Sequence, residues 1–254
     1  MFHQRPWTRV CPLIALVAAP AIAGTFSPDE ASRILRTRAM AQYYDASTGT
    51  LEDIIDQRTW TCLDLEPVDE FEMSKVSALS AGQGFAYQHS TFEPTRFYAM
   101  GTAVAVAMAG DRNANGEGSA SSNYSVTFTI SADTWVRLAG EVMTYDIDTH
   151  DAAEDAAVFS SHVTLLGPSS DPLFRATVVG FDVQSAFDRI LLLTPGQYQL
   201  EGVAAAGVIA RAEETRDELV GNSGFNFEFT VVPSPGAGVL VIAGAAASIA
   251  RRRR

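Results

Sequence analysis

From about residue 71 onward the apolar residues of this chain recur at every second position, and that period limits its fold more than any other feature. Tyr124, Val126, Phe128 and Ile130 alternate with Ser125, Thr127 and Thr129. Val136, Leu138 and Val142 alternate with Arg137, Ala139 and Glu141, and Phe225, Phe227, Phe229 and Val231 with Asn226, Glu228 and Thr230. Successive side chains of a strand point to opposite faces, so each run has one face to bury and one to wet, as antiparallel sheets have. Less regular strand candidates cover 73–79, 84–92, 95–108, 158–166, 173–183, 189–193 and 197–209. Turn signals separate them at Pro94, Gly110 to Gly118, Gly167-Pro168, Asp171-Pro172 and Pro195-Gly196. About ten strands with apolar faces predict a mainly β chain. The expected body is an antiparallel two-sheet sandwich over 71–232, with Phe128, Leu138, Val142, Phe227 and Phe229 in its core.

Residues 24–70 read differently, as a helical or irregular N-terminal segment. Ser27-Pro28-Asp29-Glu30 has the order of an N-cap, a proline at the first helical position and a capping-box glutamate. Ala31, Ile34, Leu35, Ala39 and Tyr43 then form a narrow apolar stripe at helical spacing, and Leu51, Ile54 and Ile55 follow a second start at Thr50. Short helices over 27–57, packed on the sheet or capping one end of it, are the expectation.

The two ends carry address rather than fold. Arg5 and Arg9 precede an apolar run from Val10 to Ala23 that closes on Ala21-Ile22-Ala23. A positive region, a short apolar stretch and a small-x-small ending make residues 1–23 a secretory signal peptide, cut by signal peptidase after Ala23. At the other end Pro233-Ser234-Pro235 leads into an apolar stretch, Gly236 to Ala250, and then Arg251, Arg252, Arg253 and Arg254. As a helix that stretch would be about 22 Å long, short of the ~30 Å hydrocarbon core. Snorkelling arginines make up part of the difference, and the positive-inside rule keeps them cytoplasmic.

Proline-x-proline, a small-residue apolar helix and a terminal basic cluster resemble the PEP-CTERM sorting signal of exported bacterial proteins. Ser234 stands where that family usually has glutamate, which makes this a variant of the motif. The resemblance implies recognition by an exosortase, a membrane cysteine transpeptidase. It also implies transient membrane anchoring through a C-terminal transmembrane helix and removal of residues 233–254 near the Pro-Ser-Pro motif. The strand phrasing of YSVTFTISADTWVRLAGEV and LTPGQYQLEGV is in turn similar to jelly-roll sandwiches of PEP-CTERM and carbohydrate-binding proteins.

Between the ends lie all 30 acidic residues but only 12 of the 18 basic ones, a net charge of −18 for the body against −12 for the chain. Such a surface repels phosphate backbones and anionic headgroups, which argues against nucleic acid and peripheral membrane binding by this part. Cys11 falls in the signal peptide, so Cys62 stands alone in the remaining chain, where it reads as a small buried apolar residue.

Residues with chemistry are few. Asp111, Asn113 and Asn115 have the one-three-five oxygen spacing of a calcium loop, Gly116 occupies the sharp-turn position, and Glu117 could add a ligand. A glycine-rich hairpin loop explains the same residues without a metal. Asp146 to Asp155 holds five carboxylates, either oxygen ligands or a solvated loop. His89, His150 and His162 fit no zinc spacing, and Gly221-Asn222-Ser223-Gly224 lacks the end of a nucleophile elbow. Trp135, on the polar face of its strand beside Arg137, is the best aromatic for stacking on a sugar, ahead of Trp60, Tyr87 and Tyr98. These readings predict a non-catalytic cell-surface or extracellular-matrix protein sorted by an exosortase-type system, meeting exopolysaccharide or another glycan. A carbohydrate-binding module, or a secreted glycoside hydrolase with two acids across a cleft, are the alternatives.

Overall fold

The alternation becomes two sheets. A computed structural model describes residues 26–45, 47–63, 71–79, 81–93, 95–108, 115–146, 156–210 and 218–233, all within the unit Ala23–Pro233. Its strands are β1 (Phe26–Asp45), β2 (Thr50–Cys62), β3 (Phe71–Leu79), β4 (Gly82–Glu93), β5 (Arg96–Met108) and β6 (Gly116–Ile130). They continue as β7 (Thr134–Asp146), β8 (Ala156–Leu166), β9 (Pro172–Val179), β10 (Val183–Leu193), β11 (Gly196–Ala210) and β12 (Glu218–Val231). One sheet, here sheet A, has the order β2-β1-β6-β11-β8-β9, and sheet B has β10-β7-β12-β5-β4-β3. Neighbouring strands are antiparallel throughout.

The inner faces carry the residues that the period of two selects. Phe128, Leu138, Val142, Phe227 and Phe229 are all buried in one core. The core is graded along the strands. Near the turn joining β6 to β7, Phe97 stacks on Phe229 at 4.5 Å, and Phe128 lies 5.1 Å from Phe229 and 5.7 Å from Tyr198. Further along come Tyr124, Phe227 and Phe225. At the far end the inward residues shrink to Ala105 and Ala107 on β5, Gly116 and Gly118 on β6, and Gly82 and Gly84 on β4. There the two backbones touch. A methyl group on Gly82 would overlap the carbonyls of Glu117 and Met40, and one on Gly118 those of Val106 and Gln83. Packed sheets ordinarily stand about 10 Å apart, so glycine is what lets them close here.

The N-terminal segment corrects the sequence reading. Instead of helices over 27–57, β1 and β2 form a hairpin that adds to sheet A, with β1 between β2 and β6. Ala31, Leu35 and Ala39 are four residues apart, a spacing common to one helical face and one strand face. The inward positions between them are Arg33 and Thr37, both buried, and these polar residues hid the period of two. Pro28 does not start a helix but sits at a register shift of the β1–β6 ladder, a place that tolerates a residue with no N–H to donate. Gly116 and Gly118 were likewise expected in a turn and instead open β6.

Residues 1–25 and 234–254, which carry the signal peptide and the C-terminal transmembrane helix read from the sequence, lie outside the described residues. Among the described residues no helix is long and apolar enough to cross a membrane. Phe26 pairs with Ile130, the last residue of β6, and Val231 with Val136, the third residue of β7, on either side of the short β6–β7 connection. The body therefore begins and ends at the same, aromatic end of the sandwich.

Candidate functional site

Antiparallel pairing sets outward side chains from neighbouring strands side by side, and register decides which meet. On the outer face of sheet B, His89 of β4 is level with Met100 of β5, Asn226 of β12, Glu141 of β7 and Ala186 of β10. The Glu141 carboxylate accepts a hydrogen bond from Asn226 Nδ2 at 2.7 Å and another from Gln184 Nε2 at 2.7 Å. The His89 and Tyr98 rings lie 5.9 Å apart at 57°. Burial pushes the Tyr98 hydroxyl above its ordinary pKa, and the nearby Tyr87 and Glu141 push it the same way. One row along, Arg137 grips Asp188 through two hydrogen bonds of 2.9 and 2.7 Å, and Arg96 pairs with Glu228 at 3.1 Å. Tyr87, His89 and Tyr98 thus form a half-buried aromatic row beside planar carboxylate and amide groups.

Trp135 projects from this same outer face and is half-buried. Its register partner is Leu192, 46% exposed, and Ile190 two residues away is 56% exposed. Strand spacing places Trp135 roughly 15 Å from Tyr98, so the residue favoured by the sequence and the aromatic row occupy different parts of one face. Trp60, on edge strand β2, lies on the other sheet.

Sheet A carries a groove on its outer face. Its floor is made by the small residues Ser119 and Ser121 of β6 and Ala205 and Gly207 of β11. Arg36, Arg38 and Gln57 form one wall and Val158 the other, with an open space of about 360 Å³ between them. The register explains the shape, because Arg38, Ser119, Gly207 and Val158 are level across four adjacent strands. Arg38 donates to Glu117 at 2.6 Å. Arg36 is exposed and makes no ion pair among the described residues.

Of the calcium residues, Asp111 and Asn113 lie outside the described residues. Asn115 is held on β1: its Nδ2 donates to Gln42 Oε1 at 2.8 Å, and its carbonyl accepts the Gln42 N–H at 2.9 Å. Glu117 is turned to Arg38. The acid-rich loop from 147 to 155, with His150, also lies outside the described residues. Among the described residues no three His, Cys, Asp or Glu side chains are grouped to hold a metal ion. His162, on the outer face of sheet A, has its pKa lowered by burial and by Arg175, against a smaller opposing effect of Glu201. Cys62 is a free thiol on β2, half-buried.

Sequence reasoning missed His89, Glu141, Asn226 and Gln184 as a group, and missed the groove entirely. The polar alternation on each strand was visible, but it does not say which strands are neighbours. The run Gly118-Ser119-Ala120-Ser121 did carry a signal, since small residues on both faces of a strand leave a trough.

No family model matches the chain, and no curated protein matches it. Among solved structures it is similar to the VP2 subviral particle of infectious bursal disease virus, at 13% identity over 85% of this chain and 68% of that one, with a TM-score of 0.19. VP2 structures of the Gt and Gx strains of the same virus match at 11% and 9% identity, again over 85% of this chain, with TM-scores of 0.17 and 0.20.

Proposed function

We propose that this chain is an exported, non-catalytic cell-surface or extracellular-matrix protein, sorted by an exosortase-type system. The observation that carries the reading is the tail: Pro233-Ser234-Pro235, a Gly- and Ala-rich apolar stretch, then Arg251 to Arg254. The order of the fold agrees with display. β12 ends at Val231, two residues before that motif, and lies inside sheet B with β7 on one side and β5 on the other. A tether leaving from a strand laddered on both sides is firmly rooted. The test is intact-mass spectrometry of the protein from its native host. The product is expected to start at Gly24 and to lack the residues after the Pro-Ser-Pro motif. A product retaining Arg251 to Arg254 would make the tail a permanent anchor and end the sorting reading.

The sandwich itself reads as a jelly roll with two added hairpins. Strands β5-β12-β7-β10 facing β6-β11-β8-β9 support this, since they have the order of a doubled Greek key. The hairpins β1–β2 and β3–β4 then extend one sheet each.

A second reading, glycan binding, is favoured by the aromatic row of sheet B. Sugars offer apolar C–H faces for rings and paired hydroxyls for planar side chains, and Tyr87, His89 and Tyr98 beside Glu141, Asn226 and Gln184 supply both. A glycan array on the full-length protein tests it, with Tyr98→Ala and Trp135→Ala separating the two ends of the face. Saturable binding lost in either variant supports the reading. A blank array leaves the sheet face as ordinary solvated surface.

A further inference from the structure

We propose that the groove on the outer face of sheet A binds an acidic glycan, one whose sugar rings carry carboxylates. The aromatic row of sheet B plays no part in this site, which lies on the opposite sheet.

Three observations select that ligand. The floor is small and mixed, with the hydroxyl-bearing residues Ser119 and Ser121 beside the carbon surfaces of Ala205 and Gly207. A pyranose chain offers hydroxyls and C–H faces in the same alternation. The walls are asymmetric, with two guanidinium groups on one side and Val158, 66% exposed, on the other. Arg38 is committed to Glu117 at 2.6 Å, whereas Arg36 makes no ion pair among the described residues. An exposed guanidinium presents a planar fork of donors that matches a carboxylate.

The third observation excludes the obvious rival, an acidic peptide adding as a strand. Strand addition needs a free sheet edge. The groove lies over β6 and β11, and both are paired on each side, β6 with β1 and β11, β11 with β6 and β8. Their backbone groups are spent, so only side-chain chemistry remains. The body's net charge of −18 does not prevent local recognition, because charges farther than about 8 Å away are largely screened at physiological ionic strength. It does favour a short acidic oligosaccharide over a long polyanion.

The experiment is calorimetric titration of the full-length chain with an oligogalacturonate and, separately, with its methyl ester. The ester keeps the rings and removes the charge. The acid form is expected to bind saturably and the ester at least tenfold more weakly. Arg36→Gln should cost the acid form at least tenfold while leaving the melting temperature unchanged, since Arg36 is exposed. Val158→Asp should abolish binding by placing a carboxylate in the opposite wall. Tyr98→Ala, on the other sheet, should change nothing, which separates this site from the glycan reading of sheet B. No binding, equal binding of the ester, or an unaffected Arg36→Gln variant would each overturn the proposal. So would a glutamate-rich peptide that binds as tightly as the sugar and is equally sensitive to Arg36→Gln.

Discussion

Arg33 of sheet A donates from Nε to Ser90 Oγ of sheet B across 2.9 Å, and both residues are buried. The guanidinium also lies 5.6 Å from the centroid of the Phe92 ring. A charged side chain reaching between two apolar sheets couples their alignment through this hydrogen bond. Ser90→Ala removes this acceptor from a charged donor buried in the core. A loss of about 1–3 kcal/mol is expected, to be measured by urea denaturation. An unchanged midpoint would show that the contact does not hold the sheets.

The glycine end of the sandwich should tolerate no side chain. Gly82→Ala sets a methyl group against two backbone carbonyls of the facing sheet, which cannot swing aside as a side chain could. Overpacking of this kind typically costs about 1–3 kcal/mol and occasionally more, so the upper end is expected here. Gly207→Ala is the control, since the nearest atom to its added methyl is Ser119 Cβ at 3.8 Å. Its melting temperature should stay within a degree or two of the parent, on the order of a few tenths of a kcal/mol.

At the other end, Phe227 is fully buried and touches Phe97 and Tyr124 edge-on and Phe225 in a stack. Phe227→Ala should cost about 3–5 kcal/mol, combining lost burial with the cavity left behind. Chemical denaturation of the variant is the measurement, and a cost under ~1 kcal/mol would mean the core is not packed as described.

Tyr124 gives the pH dependence. Its ring is buried in the core, and its hydroxyl finds no hydrogen-bond partner among the described residues. Burial raises its pKa well above the usual tyrosine value of 10, with Arg33 opposing in part. The folded state therefore resists deprotonation more than the unfolded chain does. The stability tied to this group is fully present below pH 10 and falls as pH rises above it toward the folded pKa. Tyr124→Phe should flatten that alkaline loss. It should also raise stability at neutral pH by about 1 kcal/mol, because an unpaired buried hydroxyl is removed. A variant less stable than the parent at pH 7 would show that the hydroxyl is satisfied in solution.

The sequence by itself settled which residues of the body are core, wherever the period of two was unbroken. Phe128, Leu138, Val142, Phe227 and Phe229 were legible because a strand's alternation is a local property of its own residues. β1 was illegible for the same reason: with Arg33 and Thr37 on its buried face and Ile34 and Met40 on the other, its pattern matches no strand template. What makes it a strand is partnership with β2 and β6, and an N-cap signature is too weak to outweigh two hydrogen-bonded ladders. Gly82, Gly84, Gly116 and Gly118 could be read only as flexible positions, whereas their role is to let two backbones meet. Strand neighbours were equally out of reach, and so were the aromatic row and the arginine-walled groove that depend on them. His89 and Asn226 are 137 residues apart in the chain yet share one row of sheet B. Alternation says which way a side chain points, and only the closing of the sheets decides what it points beside.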